Sequence, residues 1–72
     1  MDKRQFNRHL GSEIAKLRYE FGYSQEQMAE KSDLSRNYIG QIERGEKSLT
    51  VYRLYCILRA LNISLEEFFS KF

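Results

Sequence analysis

The sequence has no proline and only one cysteine, and each shortage removes possibilities. Without proline nothing interrupts a helix from within, which suits a helical domain with short connections. One thiol, Cys56, can close neither an internal disulfide nor a metal cage, and in its apolar run it reads as a small core residue. His9 has no second ligand at metal spacing, so it reads as a surface or partly packed histidine. No apolar stretch reaches the length of a membrane span and no secretory leader is visible, so the expectation is a soluble, cytoplasmic protein. No repeat, low-complexity tract or linker divides the chain. Serine, histidine and aspartate all occur, but no nucleophile elbow, phosphate loop or carboxylate pair accompanies them. The chain therefore reads as non-enzymatic, with no cofactor, metal or small-molecule ligand expected.

What is present fits one small domain spanning residues 1–72. Hydrophobic residues make up 42% of the chain and charged residues 31%, an ordinary globular balance. At this size there is little apolar surface to spare, so dimerisation would be a natural further source of stability. The net charge is only +2, so any basic patch must come from arrangement rather than excess. One asymmetry exists: Lys3, Arg4, Arg8, Lys16 and Arg18 face only Asp2 and Glu13 within the first eighteen residues.

Apolar spacing predicts five helices and no strand, an all-α fold. Met1 to Arg4 is polar and expected to fray. Phe6, Leu10, Ile14, Leu17 and Phe21 mark one face of a first helix, which Gly22 ends. Gly11 within it marks either a close approach or nothing. Ser24 and Gln27 form a capping box opening a second helix, with Met28 and Ala29 facing inward; the small Ala29 lets two helix backbones approach. Ser32, Asp33 and Leu34 read as a tight turn, with Asp33 at a left-handed position. Ser35 caps a third helix, Arg36 to Glu43, which buries Leu34, Ile39 and Ile42 and points Arg36, Asn37, Gly40 and Gln41 outward. Arg44 and Gly45 close it. After an anchor at Leu49, Thr50 caps a fourth helix carrying Leu54, Ile57, Leu58 and Leu61, with Val51 and Tyr55 beside that stripe. Ser64 starts a fifth, with Glu67 as partner in a second capping box.

The stretch from Ser24 to Gly45 thus reads as two short helices joined by a tight turn. Arg36, Asn37 and Gln41 are side chains of the types that read base edges in a DNA major groove. Arginine pairs bidentately with guanine; asparagine and glutamine do so with adenine. In an arbitrary helix these three would more often be a solvated polar face.

The pattern LRxxxGxSQExxA…LSRxYIxxIERG resembles the Cro/CI-type (XRE) helix-turn-helix family of DNA-binding regulators. The resemblance runs from Phe6 to Phe69, with Gln25, Ala29, Leu34, Ile39, Ile42, Glu43 and Gly45 in register. It implies a compact five-helix bundle of the lambda-repressor-like type, with the helix-turn-helix at about 24–45. The tail is most similar to the short controller proteins of restriction–modification systems, regulators that bind as dimers. One departure is Asp33, where family members usually have glycine at the turn.

The resemblance assigns base reading to Arg36, Asn37 and Gln41, and a phosphate contact to Gln25 at the start of the second helix, where exposed amides and the helix terminus favour an anion. Ser35, Arg44, Lys47 and Ser48 are further candidates for backbone or groove contact. Tyr38 has two readings, contact with a thymine methyl or a phosphate, or packing against the scaffold. Glu43 opposes the dipole of its helix and calls for a cation; the family pattern pairs it with Arg18 as a structural strut that also presents Arg18 toward the DNA backbone. Lys3, Arg4, Arg8 and Lys16 have two readings, peripheral phosphate contacts or, more simply, scattered surface charge.

Phe68, Phe69 and Phe72, with Leu65 and either Tyr52 or Tyr55, exceed what a five-helix core absorbs. They predict a two-fold interface built from about residues 50–72. The alternative places two of the phenylalanines in the core and leaves Phe72 a disordered end. The expected whole is a homodimeric transcriptional regulator on a dyad-symmetric DNA operator; activation would add a contact with RNA polymerase that no residue pattern announces. Two other readings stand beside it: an antitoxin that binds a protein toxin and represses its own operon, and an interaction module that uses the fold without DNA.

Overall fold

Each helix begins one residue after a side-chain oxygen that accepts one of its free amides, so its start is written locally. The computed structural model describes residues 1–72, and its five helices are α1 (Lys3–Glu20), α2 (Gln25–Ser32), α3 (Arg36–Glu43), α4 (Val51–Ala60) and α5 (Leu65–Phe69). The fold is all-α.

Asp2 caps α1 and forms a full capping box with Gln5, which corrects the expectation of a frayed start: the polar residues ahead of Phe6 are the cap and first turn. Ser24 and Gln27 make the predicted reciprocal pair at α2. Ser35 accepts from the amide of Tyr38, and Thr50 from that of Arg53. Ser64 accepts from the amide of Glu67, but the Glu67 side chain does not reach back, so only half of the second predicted box forms.

The ends are as regular as the starts. Gly22, Asp33, Gly45 and Asn62 all lie in the left-handed region at φ of 74°, 58°, 75° and 58°. In each case the next amide, of Tyr23, Leu34, Glu46 or Ile63, bonds back five residues to Arg18, Ala29, Gln41 or Leu58. That Schellman arrangement satisfies carbonyls the helix would otherwise leave open. Aspartate serves at the turn as predicted, with φ 58° and ψ 41°. Ser32, expected in the turn, is instead the last residue of α2; it is buried and its hydroxyl donates to the Met28 carbonyl at 2.7 Å.

α3 packs against both α1 and α2, α2 also packs on α4, and α5 on α4. Ile14, Met28, Ile39, Ile42, Ile57 and Leu58 are fully enclosed, each worth about 1.5–3 kcal/mol relative to an exposed side chain. Ala29 is buried between α2 and its neighbours, as its size anticipates. Gly11 marks a close approach: a Cβ there would overlap the Ile42 carbonyl oxygen and lie 3.0 Å from that of Glu43. The absence of a side chain at this one position sets how near α1 lies to the end of α3.

The ends of the predicted apolar faces depart from expectation. Phe6, in the first turn of α1, and Phe21, its C-cap, stay exposed; Phe6 meets the Phe72 ring at 5.9 Å and Phe21 stacks on Tyr23 at 6.1 Å. Cys56 is half-buried rather than a core residue. No helix is long and apolar enough to cross a membrane.

Candidate nucleic-acid interface

The buried contacts of α3, made by Leu34, Ile39 and Ile42, fix which of its sides is free. Arg36 and Asn37 in its first turn are exposed, and Gln41, one turn on, is half-buried on the same face. Gly40 does not face solvent as predicted. It is buried because the Arg44 guanidinium and the Gln25 amide fold over it, 3.1 and 3.8 Å from where a Cβ would sit. Ser35 is exposed, with its hydroxyl engaged as the cap.

Two polar clusters flank this helix. The first centres on Glu43. Arg18 Nε donates to Glu43 Oε2 at 2.7 Å and Nη2 to Oε1 at 3.0 Å, a two-pronged pair with side chains only 8% and 7% exposed. Arg18 Nη1 donates to the Tyr23 carbonyl at 2.9 Å, and its guanidinium lies 4.5 Å from the centre of the Tyr19 ring. Gln25 Nε2 adds a third donor to Glu43, at 3.0 Å. The hydrogen bonds to Glu43 raise the pKa of Arg18 above its ordinary value, against the opposing effect of burial. Carboxylate and guanidinium thus neutralise each other where α1, α2 and α3 meet. Arg18, expected to strut and also to reach the DNA backbone, has its guanidinium committed inside the protein and serves the first purpose. Gln25, expected at a phosphate, is half-buried and bonded to the same carboxylate.

The second cluster lines a shallow, open cleft of about 550 Å³ between α3, the following loop and the first turn of α4. The cleft is lined by Asn37, Tyr38 and Gln41 of α3, Lys47 and Ser48 of the loop and Arg53 of α4, together with residues of the turn before α3. The Tyr38 hydroxyl donates to the Ser48 carbonyl at 3.3 Å and accepts from Arg53 Nη1 at 3.1 Å, and the Arg53 guanidinium lies 4.9 Å from the centre of the Tyr38 ring. Asn7 Nδ2 donates to Ser48 Oγ at 3.3 Å, tying α1 to this loop. Lys47 is exposed and has no carboxylate within ion-pair distance.

Sequence reasoning misses Arg53 and Asn7. The one signal for Arg53 is its place three residues after the Thr50 cap, which puts it in the turn of α4 that follows the loop. Arg44, a predicted contact, stands outside both clusters and pairs with exposed Glu46 at 2.8 and 3.2 Å. The hydrogen bond raises the pKa of Arg44 and holds the Glu46 carboxyl below the usual carboxylate range.

The residues expected at a dimer interface divide. Phe68 is 3% exposed and belongs to the core of the single chain, which corrects its placement on an outer surface. Leu65 is half-buried against that core, while Tyr52, Tyr55, Phe69 and Phe72 are exposed, the last two at 39% and 41%. Phe72 is not a loose end: it contacts Phe68, Phe69 and Phe6 and meets His9 edge-on at 4.4 Å.

A Helix-turn-helix family model (HTH_3) matches residues 14–68. The chain is 39% identical over 67 residues to the uncharacterized HTH-type transcriptional regulator y4dJ of Sinorhizobium fredii, covering 93% of this chain and 83% of that protein. It is 44% identical over 48 residues to the control protein C.SmaI of Serratia marcescens, covering 67% of this chain and 57% of that protein. Among solved structures, the restriction-modification controller protein C.AhdI from Aeromonas hydrophila is similar with a TM-score of 0.85 and 31% identity, covering 89% of this chain and 97% of that one.

Proposed function

The chain belongs to the XRE-type helix-turn-helix (HTH_3) family of transcriptional regulators, and from that premise we propose that it acts as a homodimer on a dyad-symmetric DNA operator, in the manner of a restriction–modification controller. The family is one of DNA-binding regulators and not an enzyme class. One observation carries the reading: α3 holds Arg36, Asn37 and Gln41 away from the enclosed Ile39 and Ile42, and Asn37 and Gln41 line a cleft that also holds the cations Lys47 and Arg53.

Arg36 and Asn37 occupy the first turn, the part of a recognition helix that enters the groove most deeply. Arg36 would read guanine through its O6 and N7 acceptors, and Asn37 or Gln41 adenine through N6 and N7. Lys47 and Ser48 would grip the phosphates and set register without reading sequence. The exposed side chains of Tyr52 and Tyr55 on α4, Phe69 on α5 and the terminal Phe72 would supply the face for a second copy. Two such helices related by a two-fold axis would enter successive major grooves about 34 Å apart.

Equilibrium binding to duplex DNA, measured by fluorescence anisotropy between about 50 and 200 mM salt, tests the DNA half of the proposal: affinity should fall steeply and linearly on a log–log plot. Sedimentation at micromolar protein tests the other half. A salt-insensitive or absent interaction would refute DNA binding, and a strictly monomeric species would refute the dimer.

A further inference from the structure

Resting on the DNA-binding reading above, we infer that Arg53 of α4 is a further phosphate contact in the cleft beside α3, and that Tyr38 is the residue that positions it. The inference follows from where the protons must be. Arginine carries only donors, so in the 3.1 Å bond between Arg53 Nη1 and the Tyr38 hydroxyl the tyrosine oxygen accepts. A backbone carbonyl carries only lone pairs, so in the 3.3 Å bond to Ser48 the tyrosine donates its single O–H. The hydroxyl has then no proton left for a phosphate, itself an acceptor. What Tyr38 keeps is a lone pair and a ring face.

Arg53 is in the opposite condition. Tyr38 takes one of its five N–H donors and the ring holds its guanidinium plane in place at 4.9 Å. No carboxylate lies within ion-pair distance of it, whereas Arg18 is paired with Glu43 and Arg44 with Glu46. The residue is exposed and lines the cleft together with Asn37, Gln41 and Lys47. A fixed, unneutralised guanidinium with free donors is what bidentate phosphate recognition requires. The anchor is itself held, since Asn7 of α1 donates to Ser48 Oγ and so links the loop carrying the accepting carbonyl to the body of the protein.

The test uses the full chain, a duplex that the wild type enriches from a random pool, and binding measured against salt for wild type, Arg53→Ala, Arg53→Lys, Tyr38→Phe and the Arg53→Ala/Tyr38→Phe double variant. Arg53→Ala should weaken binding roughly tenfold, equally for matched and mismatched sites, and reduce the log–log salt slope by about 0.9 for each phosphate that is no longer neutralised. Arg53→Lys should keep the slope and lose part of the affinity, because an ammonium keeps the charge without the fork. Tyr38→Phe should weaken binding less, leave the slope unchanged, and have no further effect once Arg53 is alanine, since it acts through that residue. Thermal melting confirms that each variant is folded; exposed Arg53 leaves the core untouched. A wild-type slope in Arg53→Ala, or effects of Tyr38→Phe and Arg53→Ala that multiply, would overturn the assignment while DNA binding by the wild type stood. A wild type that binds no duplex at any salt overturns both.

Discussion

The two polar clusters beside α3 are built from the same kinds of group and are left in opposite states. Around Glu43 the charges cancel: two nitrogens of Arg18 and one of Gln25 converge on one carboxylate, and almost nothing is exposed. Around Tyr38 the hydroxyl is satisfied, but Arg53 and Lys47 face solvent with no counter-charge in the protein. A closed network fixes shape, because breaking it strands a charge away from water. An open one leaves donors for a partner, and its cost in the free protein is low because water solvates them. The helix between them thus has a side that sets its position and a side that is free to bind.

That contrast can be broken at several points. The largest effect belongs to the closed side. Glu43→Ala strands the Arg18 guanidinium and should cost about 3–5 kcal/mol of stability, with DNA affinity falling in step; chemical denaturation with unchanged stability would reject the strut. Next comes Gly11→Ala, whose Cβ meets the Ile42 and Glu43 carbonyls; forcing α1 away from α3 should cost about 1–3 kcal/mol by the same measurement. On the open side the signs of the experiment change. Arg36→Ala should leave the melting temperature within error and cost about 1–3 kcal/mol of binding, relaxing preference at a single base pair.

The smallest effect sharpens the comparison from outside both clusters. Glu46 neutralises Arg44, so Glu46→Gln should free that guanidinium and strengthen DNA binding a few-fold, roughly. Acid should do the same through the same group. Its folded-state pKa is lowered, so the small stabilisation from the pair is present above the ordinary carboxylate range and fades as pH falls through that lowered value. The gain in affinity should therefore appear only on acidification below the usual glutamate range, and should vanish in Glu46→Gln.

Much of the architecture is legible in the sequence because it is local. Ser24 with Gln27, Ser35 and Thr50 announce helix starts by residue type and spacing, and Gly22 and Asp33 announce left-handed ends. The buried stripe of α4 follows from spacing alone. The Arg18–Glu43 pair is different: a carboxylate in a last turn demands a cation, but it takes the family pattern to choose one 25 residues away. What stays hidden depends on tertiary placement. Asp2 does not stand out as a cap because no apolar period yet follows it. Gly40 turns inward because Arg44 and Gln25 close over it. A five-residue helix such as α5 is too short for periodicity to single out Phe68 as core from its exposed neighbours Phe69 and Phe72. Arg53 reaches Tyr38 across fifteen residues, and only the return of the chain through the loop after α3 brings them together.

Selection of bound sequences from a random duplex pool, run in parallel with wild type and Arg36→Ala, bears most directly on whether the open face of α3 reads DNA as half of a symmetric pair. Wild type should enrich sites with approximate dyad symmetry and half-site centres about 34 Å apart. The variant should keep that spacing and lose preference at one base pair in each half. An unenriched pool, sites without a dyad, or an unchanged preference in Arg36→Ala would contradict it.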